Sequence, residues 1–313
     1  MKSIIPFLTI SILLGACGKE KRSTNAGIKM QEFIIELSNY SRGLKSDFIL
    51  IPQNGEELLF KNIDGEEALD DDLIAAIDGI GVEEIFYNGA FAPDDYRLNM
   101  LLKAKARIPV FVADYLTTDS DYSQALQYNT DAGFLGFPRL SANYDYKLIP
   151  TVAPNENSLD ITTLSQAKNY LYLISDSNFP DKNSFLTAIQ QTNFDVVIID
   201  AFYGGQLFTA AEINSLKTKL NGGKRLIISY MNIGAAEKYR YYWKEDWKLH
   251  HPRWLAKQYD DYAEEIWVKF WKKDWKNIIY GNDDSYTKKI IDAGFDGTYL
   301  DNVEVFYFLY FDE

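Results

Sequence analysis

Val196-Val197-Ile198-Ile199-Asp200 is a run of four apolar residues ended by a carboxylate. A run with no polar face marks a strand buried on both sides, and such strands belong to parallel sheets covered by helices. Seven further runs share this character: Phe48-Ile-Leu-Ile-Pro52, Ile85-Phe-Tyr87, Val110-Phe-Val-Ala113, Gly133-Phe-Leu-Gly-Phe137, Tyr170-Leu-Tyr-Leu-Ile174, Leu226-Ile-Ile-Ser-Tyr230 and Thr298-Tyr-Leu300. Helix-like stretches at 96–106, 184–192, 210–220 and 286–293 separate most of them. Alternating strands and helices build a parallel sheet, and eight strands close a TIM (β/α)8 barrel. The expected fold class is therefore α/β, a single barrel over residues 30–313. Met30, Phe33, Ile34, Leu37 and Tyr40 recur at helical spacing and place a helix over 30–44, ahead of the first strand.

Two segments break the rhythm. Residues 141–166 are rich in Asn, Pro and Ser and read as a linker. Residues 238–280, after the seventh strand, form a Trp-rich insertion that carries all six tryptophans. Trp267, Trp271 and Trp275 are four apart and would share one face if the segment is helical, a packing stripe. Trp243, Trp247 and Trp254 are less regular and are the better candidates for a platform that stacks on sugar rings.

At the other end, Lys2, the apolar stretch 4–14 and Leu14-Gly15-Ala16-Cys17 read as a lipoprotein signal segment, with Cys17 as the site of lipid attachment. About eleven apolar residues fall short of the roughly 20 needed to cross a bilayer. The polar residues 18–29 read as a flexible tether. These features imply an exported chain anchored to the bacterial cell envelope. Cys17 is the one cysteine, so no disulfide or thiolate metal site holds the fold together.

Net charge is -13, which argues against nucleic acid as a partner and favours cationic ligands. No cofactor and no oligomeric partner are implied, so a monomer is expected. The polar residues that flank the strand runs form one set: Gln53 and Asn54, Glu83 just at the start of its run, and, at the ends of theirs, Asp114, Arg139, Ser175 and Asp176, Asp200, Asn232 with Glu237, and Asp301 with Asn302. In a barrel of this kind the site lies at those ends. Carboxylates dominate and His and Cys are absent, which favours carboxylate acid/base or nucleophilic chemistry of the glycosidase kind. An oxygen-ligand metal site at Asp200, Glu237 and Asp301 matches no known loop spacing, and no metal is expected. His250 and His251 lie in the insertion without a metal motif and read as surface residues.

The segments Ser229-Tyr-Met-Asn-Ile-Gly-Ala-Ala-Glu237-Lys-Tyr-Arg240-Tyr-Tyr-Trp243 and Gly294-Phe-Asp-Gly-Thr-Tyr-Leu-Asp301-Asn302 resemble two signature strands of glycoside hydrolase family 114, the endo-α-1,4-polygalactosaminidases and related barrels. Phe48-Ile-Leu-Ile-Pro-Gln53-Asn54-Gly-Glu56 and Gly79-Ile-Gly-Val-Glu83-Glu-Ile-Phe-Tyr87 resemble two more. In that family the strand like 170–174 comes first, and the segments found here at 30–140 come last. The resemblance thus implies a circular permutant opened after the Asp301 strand, with 141–166 joining the family's original ends. It also implies a catalytic pair, Asp301 and Glu83, with Asp200, Glu237 and Arg240 as candidate substrate contacts, to which the strand-end residues Gln53, Asn54, Asp114 and Arg139 and the insertion's Trp243 are added as further candidates. The expected activity is endo-cleavage of a polysaccharide of cationic amino sugars. Ser175-Asp176 and Glu304 depart from the family pattern close to this site. The alternative is a non-catalytic glycan-binding lipoprotein that uses the tryptophans.

Overall fold

The structure is a computed structural model that describes residues 8–311, with side chains from residue 18 onward. Residues 1–7 of the expected signal segment and the side chain of Cys17, the expected site of lipid attachment, lie outside the described residues. Eight parallel strands form the centre: β1 (Ile49–Pro52), β2 (Ile80–Phe91), β3 (Val110–Leu116), β4 (Leu135–Gly136), β5 (Tyr170–Leu173), β6 (Val196–Asp200), β7 (Leu226–Asn232) and β8 (Gly297–Asp301). Each of the eight apolar runs contributes one of them. Strands β5, β6, β7, β8 and β1 make one sheet in that order, and β2, β3 and β4 make another. One bridge, Gln53 to Gly81, joins the sheets by linking the end of β1 to β2.

The sheets curl toward each other. Phe111 of β3 meets Tyr170 of β5 edge-on, with ring centroids 5.1 Å apart, although no ladder joins those strands. Phe137, just past β4, also contacts Tyr170 at 5.4 Å. Among the described residues no strand pairing connects β4 to β5, so these edges meet through aromatic side chains. The curl also brings Tyr299 of β8 under Gly81 of β2, two strands away. A Cβ on Gly81 would sit 1.8 Å from the Tyr299 hydroxyl, and Tyr299 is only 1% exposed, so the ring has nowhere to move. Gly81→Ala is therefore expected to lower stability by about 1–3 kcal/mol through overpacking, read as a drop in the thermal unfolding midpoint.

Helices cover the strands: α1 (Leu8–Leu44), α2 (Asp71–Ala76), α3 (Asp95–Ala104), α4 (Tyr122–Ala132), α5 (Lys182–Gln190), α6 (Ala210–Leu216), α7 (Lys273–Ile279), α8 (Tyr286–Asp292) and α9 (Val305–Phe308). Helix α1 is the main departure from expectation. The flexible tether at 18–29 is instead helix, continuous with 30–44 and roughly 55 Å long at 1.5 Å per residue. Ser23, Ala26 and Gly27 extend the buried face of Met30, Phe33, Ile34 and Leu37. Small residues are needed there. A Cβ on Gly27 would come 2.8 Å from the Ile63 side chain, and Ser23 donates to the main-chain oxygen of Phe306. No described helix is long and apolar enough to cross a membrane.

The tryptophan segment also differs from expectation. Short strands Ala235–Glu237, Leu255–Gln258 and Glu265–Val268 form an antiparallel sheet of three that follows β7. Trp267 lies on a strand and Trp275 on α7, so 267, 271 and 275 are not one helical stripe. The 141–166 stretch carries two short 3-10 turns, Ser141–Asn143 and Leu164–Gln166, and buries Tyr146 and Leu164.

Candidate active site

Asp301 ends β8, Gln53 follows β1, and Glu83 lies on β2 where its regular pairing with β3 breaks off. The residue after each, Asn302, Asn54 and Glu84, has φ near +60°, a left-handed turn that side chains other than glycine rarely adopt. Three such residues side by side turn the chain sharply away from the strand ends. Main-chain bonds fix the register: Gln53 N donates to Leu300 O and Asn54 N to Gly81 O, both at 2.8 Å. Asp301 and Glu83 are thus two strands apart, about 10 Å between main chains. Only the Gln53 strand lies between them.

Asp301 accepts from the Tyr230 hydroxyl at 2.5 Å and from Asn302 N at 2.8 Å. Burial pushes its pKa up to about 7, with Glu83 and Glu237 adding to the rise and the two hydrogen bonds opposing it. Near neutral pH this carboxyl can hold a proton and release it.

Glu83 is held differently. Gln53 Nε2 donates to its Oε2 at 2.9 Å, while the Tyr146 hydroxyl and the Arg139 guanidinium, the latter at 3.4 Å, address its Oε1. Gln53 is oriented in turn by the Tyr172 hydroxyl, which donates to its Oε1 at 2.9 Å. Tyr146 stacks on Tyr172 with centroids 4.0 Å apart and lies under Arg139, whose Cζ is 4.6 Å from the ring centroid. Donors on both oxygens are suited to stabilising negative charge on Glu83.

Several expected substrate contacts do other work. Gln53 is 3% exposed with both amide atoms bonded, so it positions Glu83. Arg139 is equally buried and holds Glu83, Glu84 and Ala113 O. Asn54 Oδ1 accepts from Glu83 N and from Arg97, which also grips Glu56 and the main chain of Glu83. Asp114 is a clear correction. It is fully buried and accepts from Phe86 N, Tyr87 N and Asn129 Nδ2, so it shapes the irregular part of β2 and cannot reach a ligand.

Asp200, Glu237 and Arg240 come together, but with each other. Arg240 binds Asp200 through both terminal nitrogens, at 2.8 and 2.7 Å, and Glu237 through Nε at 2.7 Å. Glu237 is fully buried and takes a further bond from the Tyr239 hydroxyl at 2.6 Å, so its role as a substrate contact is withdrawn. Of the tryptophans proposed for a sugar platform, Trp254 is 4% exposed and packs against Trp247 and Trp275. Trp243 is half-buried, its ring edge-on to Trp247. His250 and His251 are exposed. Asp200, Glu237 and Asp301 do not gather as ligands, and no group of three or more His, Cys, Asp or Glu that could hold a metal ion occurs among the described residues.

The sequence reading missed Tyr146, Tyr230, Arg97 and Glu265. Glu265 lies on the small sheet, accepts from Asn232 Nδ2 at 3.0 Å, and is pushed up to about 8 by burial, Glu237 and Asp301. The one available signal was register: Asn232 pairs with Asp301 across β7 and β8, so whatever Asn232 holds lies beside Asp301.

With this geometry in place, the family comparison reaches the strands β5 to β8 and leaves β1 and β2, which carry Gln53 and Glu83, outside the match. Residues 160–311 match the model of glycoside-hydrolase family GH114, which supports glycoside hydrolase family 114 for the part of the chain holding Asp200, Glu237, Arg240 and Asp301. Three similar proteins are all described as uncharacterized. One, from Thermotoga maritima, is 31% identical over 138 residues, covering 44% of this chain and 39% of the relative. Another, from Methanocaldococcus jannaschii, is 31% identical over 179 residues, 56% of this chain and 47% of the relative. A third, from Deinococcus radiodurans, is 32% identical over 122 residues, 39% and 37%. The chain spans less than half the length of each.

Proposed function

We propose that this protein is a lipid-anchored, endo-acting glycoside hydrolase that cleaves a polymer of amino sugars such as α-1,4-linked galactosamine, with Asp301 as general acid and Glu83 as the nucleophile or base. The observation that carries this reading is the pair itself. Two carboxyl groups on strands separated only by the Gln53 strand have environments that push them toward opposite tasks. Burial keeps a proton on Asp301 near pH 7, while Gln53, Tyr146 and Arg139 surround Glu83 with donors. The net charge of -13 favours a cationic polymer.

The strand order β5, β6, β7, β8, β1, β2, β3, β4 is the sequential order of any (β/α)8 barrel, and the circular permutation rests on the order of the family-like segments along the sequence. The envelope location and the Cys17 anchor rest on the lipobox. Helix α1 runs antiparallel to β1. Lys45 at its end bonds Phe295 O below β8, while Ser23 and Gln31 bond groups beyond the strand ends, at Phe306, Leu58 and Phe60. An anchor at Cys17 therefore hangs from the same end of the molecule as Asp301 and Glu83.

The test is incubation of purified protein with polygalactosamine and with neutral glycans, read by released reducing ends. Cleavage of the cationic polymer by the wild type, and none by Asp301→Asn or Glu83→Gln, is expected. Equal release by all three proteins would refute the pair.

A further inference from the structure

Few large apolar side chains are exposed near the carboxyl pair, and two of them are tyrosines from different loops. Tyr144 follows the short strand Arg139–Leu140 beyond β4 and is 49% exposed. Tyr262 lies in the hairpin between the strands Leu255–Gln258 and Glu265–Val268, in the segment after β7, and is 51% exposed. In the strand order β7, β8, β1, β2, β3, β4, Asp301 and Glu83 fall between the strands that lead to these tyrosines. Burial raises the pKa of the Tyr262 hydroxyl, and Tyr144, Glu83, Glu265 and Asp301 are close enough to add to the rise. Burial likewise raises Tyr144, with Glu84 and Glu83 adding to the rise and Arg139 opposing it.

Each ring is backed by other rings, and its exposure is not that of a loose side chain. Tyr144 is edge-on to Tyr115 at 5.2 Å and carries the Arg139 guanidinium 5.1 Å from its centroid. Tyr262 is edge-on to Tyr259 at 4.9 Å, Tyr259 stacks on Trp267 at 4.0 Å, and Trp267 stacks on Phe308 at 5.3 Å. That row ties the hairpin tip to the core, because Trp267 is fully buried. A half-exposed ring backed on one side leaves the rest of its surface open, at little entropy cost when a flat ligand covers it. Neither hydroxyl is needed by the fold: no hydrogen bond from the Tyr144 or Tyr262 hydroxyl occurs among the described contacts, unlike those of Tyr146, Tyr172 and Tyr230.

We infer that Tyr144 and Tyr262 are the two lips of the substrate cleft and position the polymer by packing against the faces of sugar rings on either side of the bond that Asp301 and Glu83 address. This rests on the glycoside hydrolase reading and extends it to residues that the family match and the sequence motifs leave unassigned. The chemistry selects a pyranose: its axial C–H groups present an apolar face to the ring. A protonated amine on the same sugar adds attraction to the ring's negative face. These are positioning residues, since neither reaches the reacting atoms through a hydrogen bond.

The experiment compares Tyr144→Ala, Tyr262→Ala, Tyr144→Phe and Tyr262→Phe, each assayed for hydrolysis of polygalactosamine. Binding of galactosamine oligomers and of neutral glucose oligomers is measured in parallel by calorimetry in the Asp301→Asn background. The alanine variants are expected to raise KM, and weaken oligomer binding, about ten-fold with kcat changed less than three-fold. The phenylalanine variants, which keep the ring, stay within two-fold of the wild type. Unchanged KM and unchanged binding in both alanine variants would overturn the inference, as would equal losses in the phenylalanine variants. A wild type that cleaves nothing defeats the hydrolase reading alone, because the binding arm still judges the tyrosines. Tyr144→Ala gives up the ring beside Arg139, but Arg139 keeps its bonds to Glu83, Glu84 and Ala113 O, and unfolding midpoints within 2 °C of the wild type are expected to accompany the losses in both alanine variants.

Discussion

Asp301→Asn is expected to retain turnover of an aryl glycoside whose leaving group needs no proton, while its hydrolysis of the natural linkage falls about 10²–10⁴-fold. Glu83→Gln is expected to lose both. A general acid matters in proportion to the basicity of the leaving oxygen, so a good leaving group bypasses it. A nucleophile or base is required whatever leaves. The assignment comes from the surroundings of the two groups. Burial dominates at Asp301 and holds its pKa near 7, whereas Glu83 is met on both oxygens by donors. The same cause fixes the pH dependence. Because Asp301 works protonated, kcat for the natural linkage falls as pH rises through about 7. The aryl substrate loses that limb. The reverse pattern, with Glu83→Gln active on the aryl substrate and Asp301→Asn dead on both, would exchange the roles.

That pair could be read from sequence only through the family resemblance, since 218 residues separate its members and no local motif joins them. The strands themselves were plain. Val196 to Ile199 and most of the similar runs are buried on both faces, the partly exposed Leu135–Gly136 strand being the exception, and continuous apolarity is what that environment demands. What failed to show was structure made by small or irregular residues. Ser23, Ala26 and Gly27 carry α1 across the supposed tether because close approach to Ile63 and Phe306 requires little side chain, so no hydrophobic period marks them. Tyr146 lies in a stretch of Asn, Pro and Ser with φ at 54°, and its position beside Glu83 depends on a contact 63 residues distant in sequence. The spacing of Trp267, Trp271 and Trp275 misled for the opposite reason: a period of four has meaning only inside a helix, and Trp267 pairs as a strand with Ala235.

Arg240→Ala is expected to destabilise the protein by about 3–5 kcal/mol in denaturant unfolding, the largest stability loss argued for any single residue outside the carboxyl pair. The guanidinium is 5% exposed and neutralises Glu237, which is fully buried, and Asp200 at the end of β6. Removing it leaves a carboxylate in the interior with the hydroxyl of Tyr239 as its remaining side-chain donor, and the desolvation cost of that charge is no longer offset. Arg240→Lys is not expected to rescue it. A single ammonium cannot span the two oxygens of Asp200 and reach Glu237, as Arg240 does with Nε and both terminal nitrogens. The double change Arg240→Met with Glu237→Leu is expected to recover part of the loss, because it removes the buried charge along with its partner. It should not restore full hydrolysis. Glu237 begins its contacts on the strand that pairs with Glu265–Val268, and Glu265 accepts from Asn232, the neighbour of Asp301 in register. Loss of the Arg240 network therefore loosens the wall beside the proposed acid. A variant that regains stability while kcat stays low would separate the support this network gives to the fold from the support it gives to Asp301. Recovery of both together would mean that Asp301 is held by Tyr230 and Asn302 alone.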